Sequence, residues 1–231
     1  MAARRALKKL AQRGPQACAS LAQMRANANV YIDGFNLYFR ALKDGPYKWL
    51  DPWRLSRLLL PEYEVHRVRY FTAIVESRPG DPQQQQRQQA YLRALGTLPR
   101  LSVHFGTFMT KPRRLPLASP RPGWPRTVEV LRTEEKGSDV NLATFMLVDG
   151  FKRDYEVAVV VSNDSDLKEP IRAVREDLSL TVGVVITDPN MSESALPADF
   201  HRRLRPRALA AAQLPAEMQD DWGTIRKPVD W

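Results

Sequence analysis

From residue 28 onward the chain alternates short apolar runs with longer stretches of helical period. Residues 29–32 are a β-rich run ending at Asp33-Gly34, residues 35–42 read as helix, and a proline near its start opens a second helix over 52–60. Residues 65–75 follow as a strand, with Val68 and Tyr70 suited to a pleated sheet. Asp81-Pro82 caps a helix over 83–95, and 101–109 returns as a strand. The stretch 111–126 holds five prolines and is expected to be irregular, because proline removes a backbone donor and fixes φ. Residues 127–132 form a short strand, paired with 107–110 or lying at a sheet edge. A helix over 138–151 and a fully apolar strand over 157–162 come next. A helix over 167–177, with Pro170 in its first turn, and a last strand over 181–186 complete the pattern. Strands alternating with helices predict an α/β fold, a three-layer sandwich with a mostly parallel central sheet.

The two ends depart from this pattern. Residues 1–26 are a basic extension without acids and are kept out of the fold. Their composition suits an organelle transit peptide; the preferred reading takes Met24 as the start, with 1–23 upstream of it. The folded domain is expected over 27–204 and an extended tail over 205–231. The net charge is +9, but residues 1–23 hold five of the 35 basic side chains and no acid, which leaves +4 for the rest. Basic stripes at 111–126 and 202–207 suit a polyanion, although solvated surface charge accounts for them equally well. No apolar run approaches the ~20 residues that span a bilayer, so no membrane association is expected. The single Cys18 leaves no internal disulfide or cysteine-based zinc cage and fits a reducing cytoplasm.

Three acidic stations stand where an open α/β sheet places its ligands, at the carboxyl ends of strands. Asp33 ends the first strand in Asp33-Gly34-Phe35-Asn36. Asp139 opens a helix in Glu135-Lys136-Gly137-Ser138-Asp139, and Asp164 and Asp166 follow the central strand in Ser162-Asn163-Asp164-Ser165-Asp166. A helix cap, a first-turn acid or an ordinary turn explains each one singly. Converging on one pocket, they would repel one another unless a cation neutralised them. Oxygen ligands without cysteine or clustered histidine favour Mg²⁺ or Mn²⁺ over zinc. His66, His104 and His201 are scattered and read as strand or surface residues, and neither a P-loop nor GxGxxG is present.

Three stretches carry a resemblance: Val30-Tyr31-Ile32-Asp33-Gly34-Phe35-Asn36-Leu37-Tyr38, Glu134-Glu135-Lys136-Gly137-Ser138-Asp139-Val140-Asn141, and Val160-Val161-Ser162-Asn163-Asp164-Ser165-Asp166-Leu167. In this order they resemble the NYN-domain family of PIN-like nucleases, in particular its LabA-like bacterial members. The resemblance implies a PIN-like Rossmannoid sheet and a Mg²⁺- or Mn²⁺-dependent endoribonuclease that leaves a 5′-phosphate and a 3′-hydroxyl. It implies Asp33, Asp139 and Asp164 as the metal-facing carboxylates and Asp166 as a further ligand or support. Asn36 would orient the metal water or a phosphate oxygen. Glu135 is a candidate for the same cluster, in competition with Glu134. Lys136 is suggested as a phosphate contact, with a surface role of equal weight. Phe35 and Tyr38 lead Phe39 and Trp124 as stacking platforms for an unpaired base, and Arg113 and Arg114 are expected to contact substrate. RNA is the expected partner, and a homo-oligomer is compatible with the sequence. The rival readings are a non-catalytic module binding RNA or a protein, and a small-molecule phosphohydrolase.

Overall fold

The structure is a computed structural model describing residues 25–231 apart from 78, 79, 121, 122, 189, 191 and 230. The expectations for residues 1–24, Cys18 and Met24 included, lie outside the described residues. In chain order the elements are β1 (Asn27–Asp33), α1 (Gly34–Leu37), α2 (Pro52–Leu59), β2 (Glu64–Thr72), α3 (Gln84–Gly96), β3 (Leu101–Phe105), β4 (Thr107–Pro116) and β5 (Thr127–Lys136). They continue with α4 (Ser138–Phe151), β6 (Val157–Val161), α5 (Lys168–Glu176), β7 (Thr181–Ile186) and β8 (Phe200–Arg203). The chain closes with α6 (Pro206–Ala211), β9 (Glu217–Asp220) and β10 (Gly223–Arg226).

Side chains alternate across a strand, and here both halves of the alternation are apolar, so helices must cover both faces. Val30, Ile32, Val159 and Val161 face Leu37, Leu55, Tyr91 and Leu95 from α1, α2 and α3. Tyr31, Ala158 and Val160 face Leu142, Met146, Ile171 and Val174 from α4 and α5. The sheet between these layers runs β3-β2-β1-β6-β7-β8, with all neighbours parallel. This is the expected three-layer, Rossmannoid α/β sandwich. Winding reverses between β1 and β6, so their carboxyl ends border the crevice where such sheets bind ligands.

Asp33 ends β1 and caps α1, its Oδ1 accepting from Asn36 N at 2.9 Å. Gly34 lets the turn lie close against β2: a Cβ there would sit 2.7 Å from the Phe71 carbonyl and from the Tyr70 ring. The helix then widens into a turn closed by Lys43 N donating to Tyr38 O at 2.8 Å. On the opposite face, α4 is pinned by a buried carboxylate. Asp149 accepts from Arg69 Nε at 2.7 Å, Arg69 Nη2 at 2.8 Å and Tyr31 Oη at 2.9 Å, while the guanidinium lies 4.5 Å from the Phe145 ring centre.

Several sequence expectations change. The chain over 101–109 is two strands, because it leaves the sheet at Gly106. The first six residues of the proline-rich stretch are a strand: β4 runs to Pro116 and pairs with β5 over ten residues. Pro112 and Pro116 are tolerated because an isolated two-stranded ribbon has open edges, where no donor is required of them. Residues 181–186 are not the last strand, since β8 adds a parallel edge whose His201, Arg202 and Arg203 gave no apolar signal. Nor is 205–231 extended. Leu209, Leu214 and Ile225 join the core, and Trp49 Nε1 donates to the Pro215 carbonyl at 2.7 Å.

Removing one partner of a buried ion pair leaves the other charge uncompensated. Asp149→Ala is therefore expected to lower unfolding stability by about 3–5 kcal/mol in urea titration. Adding Arg69→Met should restore part of that loss; strict additivity would show that the two do not act as a pair.

Candidate functional site

The crevice gathers carboxylates from three parts of the chain. Asp33, 6% exposed, is held through both oxygens, Oδ1 by Asn36 N and Oδ2 by the Ser162 hydroxyl at 2.9 Å. The same Ser162 oxygen accepts from Asp164 N at 3.1 Å, so one buried hydroxyl ties β1 to the loop after β6. Asp164 then caps the following turn by accepting from Asp166 N at 2.9 Å. Burial raises the Asp33 pKa, the neighbouring Asp164 charge adds to the rise, and hydrogen bonds from Asn36, Ser162 and Phe35 oppose it.

Asp139 enters from the first turn of α4. Its pKa is pushed up to about 6, first by burial and then by the charges of Asp33, Asp164, Glu135 and Asp166. Asp139 therefore lies within electrostatic reach of the other four carboxylates. Glu135 is thereby distinguished from Glu134: its Oε1 accepts from Ser138 N at 3.1 Å at the start of α4. Gly106 leaves room for this contact, since a Cβ there would lie 2.2 Å from Glu135 Oε1.

Among the described residues, no three acidic, histidine or cysteine side chains stand close enough to form a ready-made metal shell. Like charges separate when nothing neutralises them, and both Asp33 oxygens are occupied by protein donors. The donor chemistry nevertheless fits a hard divalent cation. The set is all oxygen, and the half-buried Asp139 carboxylate has no hydrogen-bond donor among the described residues.

The remaining sequence candidates fall in distinct places. Asn36 Oδ1 accepts from Asn163 N at 3.1 Å and from Thr187 Oγ1 at 3.0 Å, which fixes the amide orientation and leaves Nδ2 for the crevice. Phe35 packs edge-on to Phe108 with ring centres 5.5 Å apart, and Tyr38 packs on the exposed Phe39 at 5.3 Å. Lys136 does not join the carboxylates. Neighbours on a strand face opposite ways, so Glu135 turns to the cluster while Lys136 pairs with Glu134 at 3.0 Å. Arg113 and Arg114 are exposed on opposite faces of the β4–β5 ribbon, Arg114 opposite Glu129. Reading the sequence assigned no role to Ser162 or Thr187; adjacency to Asp164 was the signal for the first, and the second has none locally.

A family model described as the NYN domain matches residues 27–203, from the start of β1 to the end of β8. The chain belongs to the NYN domain family. This NYN domain therefore contains all five carboxylates, and the family is nuclease-like. The chain is also 30% identical over 240 residues to the 6-hydroxy-3-succinoylpyridine 3-monooxygenase HspA of Pseudomonas putida, an alignment covering 87% of this chain and 74% of that protein. A crystal structure of a Vibrio parahaemolyticus protein of unknown function matches with a TM-score of 0.50 at 16% identity, covering 80% of this chain and 96% of that one. That likeness is one of fold. No helix among the described residues is long and apolar enough to cross a membrane.

Two outcomes test the site. A carboxylate whose folded pKa is raised is favoured by the fold in its protonated form, so its destabilising effect is absent below pH ~4 and complete above pH ~6. Asp139→Asn should therefore stabilise the metal-free protein at pH 7, by about 1 kcal/mol after allowing for solvent screening, and have little effect at pH 4. Mn²⁺ at 100-fold over its Kd should add ~2.7 kcal/mol to wild type, and Asp139→Asn should abolish most of that gain. A melting temperature indifferent to Mn²⁺ and Mg²⁺ would contradict the cation site.

Proposed function

We propose that this NYN domain is a Mg²⁺- or Mn²⁺-dependent endoribonuclease of the LabA-like type. The observation that carries the reading is Asp139, half-buried without a donor among the described residues and within electrostatic reach of Asp33, Asp164, Glu135 and Asp166. Asp33, Asp139 and Asp164 would hold the cation. When bound, it supplies a water acidified toward neutral pH and positive charge against the phosphoryl group. Ser162 keeps Asp33 and the loop of Asp164 in fixed relation, and Asp166 adds negative charge at the rim. Asn36, its oxygen already committed, offers Nδ2 to a phosphate oxygen. The rings of Phe35 and Phe39, with the latter 54% exposed, offer a platform to an unpaired base.

The ribbon supplies a sided track for the polymer. Residues opposite one another share a face, which places Lys111, Arg113, Arg132 and Lys136 together, with Glu134 as the one acid among them. The other face carries Arg114 against Glu129 and Glu135. RNA phosphates should therefore follow the first face. Lys111→Ala and Arg113→Ala should each flatten the salt dependence of single-stranded RNA binding by ~0.7 in the log–log slope. Arg114→Ala should change it less; equal effects from both faces would remove the sidedness.

A second reading, action on a small heteroaromatic molecule, draws on the named activity of the Pseudomonas putida relative. An aromatic-walled cavity beside Asp33, lined by Tyr38, Tyr70, Tyr91 and Trp231, favours it. The deciding experiment is cleavage of labelled RNA with Mn²⁺ alongside RNA binding in chelator. Asp33→Asn and Asp164→Asn should each reduce cleavage by orders of magnitude while binding persists, and the double variant should lose little more. Wild type that binds RNA but does not cut it in any divalent metal is a binding module. Variants that cut at the wild-type rate would place the activity elsewhere.

A further inference from the structure

The cavity begins one residue from Asp33, since Gly34 and Phe35 form part of its wall; its enclosed part measures about 80 Å³ and opens to solvent. It lies between α1, α3 and the last residue of the tail. Tyr38, Tyr70, Tyr91 and Trp231 supply four rings, and Lys48 and Arg87 its basic groups. The rings are held by one another: Trp231 lies 5.3 Å from Tyr91, and Tyr70 lies 6.3 Å from Tyr91. Such a wall presents both faces and edges to a planar ring.

Most of the polar groups around it are committed to the fold. Gln88 receives Val75 N and donates to the Ala73 carbonyl, both at 2.8 Å. Tyr91 Oη donates to the Leu50 carbonyl at 3.0 Å, and Arg87 is paired with Asp81. Lys48 is different. It is half-buried in the wall and has no carboxylate or carbonyl partner among the described residues. A partly buried cation without a counter-ion is open to an anionic ligand group. The Tyr38 hydroxyl also has no hydrogen-bond partner among the described residues, and it lines the same space.

We propose that this cavity binds a planar aromatic ring bearing one anionic substituent, the ring against the tyrosine and tryptophan wall and the anion at Lys48. Two sources share that chemistry: a nucleotide, with its base and phosphate, and a free aromatic carboxylate. The site is independent of the nuclease reading, and it gives the heteroaromatic reading a ligand class. Binding is therefore measured apart from any turnover.

The test titrates the full chain, in chelator, with AMP and with nicotinate, each against its uncharged counterpart, adenosine and nicotinamide. Calorimetry or ligand-observed magnetic resonance gives the affinities. At least one charged ligand should bind about tenfold more tightly than its neutral counterpart. Lys48→Met should erase that difference, Lys48→Arg should keep most of it, and Tyr38→Ala should weaken charged and neutral ligands alike. Preference for AMP assigns the cavity to a nucleotide, preference for nicotinate to a free aromatic acid, and binding of both supports the shared chemistry. Wild type that binds neither, or a charged-to-neutral ratio unchanged by Lys48→Met, would overturn the proposal. Because no metal is present, failure here leaves the RNA-cleavage result standing, and failure of cleavage leaves this result standing.

Discussion

The buried pairing of Arg69 with Asp149 holds α4 to the sheet at a fixed rotation and height. Asp139 lies ten residues earlier on the same helix, about 15 Å away along its axis. A helix shifted by one residue would turn Asp139 through ~100° and out of the crevice. Tyr31, which also donates to Asp149, belongs to β1, the strand that ends in Asp33. One carboxylate ten residues from Asp139 thus sets the register of two elements that meet at the acidic cluster.

That cluster is under electrostatic tension. Five carboxylates lie within electrostatic reach of one another, and the protein satisfies them unequally: Asp33 receives donors from Asn36, Ser162 and Phe35, Asp164 and Glu135 receive one each, and the half-buried Asp139 and exposed Asp166 receive none among the described residues. The unequal treatment makes Asp139 the group with most to gain from a cation. It also explains why Ser162 matters more than its size suggests. A single hydroxyl both donates to Asp33 and accepts from the backbone of Asp164, so it transmits the position of one strand end to the other.

The layers of the fold were legible because β6 and β7 are apolar on both faces and alternate with helices; 138–151 and 181–186 match the expected bounds. What escaped the sequence was decided at long range. The tail folds back because Trp49, Leu50 and Asp51 offer it backbone and ring partners more than 160 residues away, which no local pattern encodes. The proline rule failed at β4 because it assumes a strand with neighbours on both sides. At the site, the aspartates were visible as types at strand and helix ends. Lys136 neighbours Glu135 in sequence but stands on the other face of β5, since a one-residue step along a strand exchanges faces, and the register with β4 tells Glu135 from its neighbours. Ser162 and Thr187 are ordinary residues whose role lies wholly in whom they touch.

The ribbon enters and leaves the body at one place, since Thr107 and Lys136 face each other at its base. Its length is therefore free of the sheet. Adding or deleting a cross-strand pair moves the tip by about 3.4 Å and leaves β3, α4 and the crevice where they were. Reach and chemistry are separate variables in this architecture. The ribbon works as a ruler, and the ten pairs it holds here are a setting that sequence drift can lengthen or shorten without retuning the carboxylates at its foot.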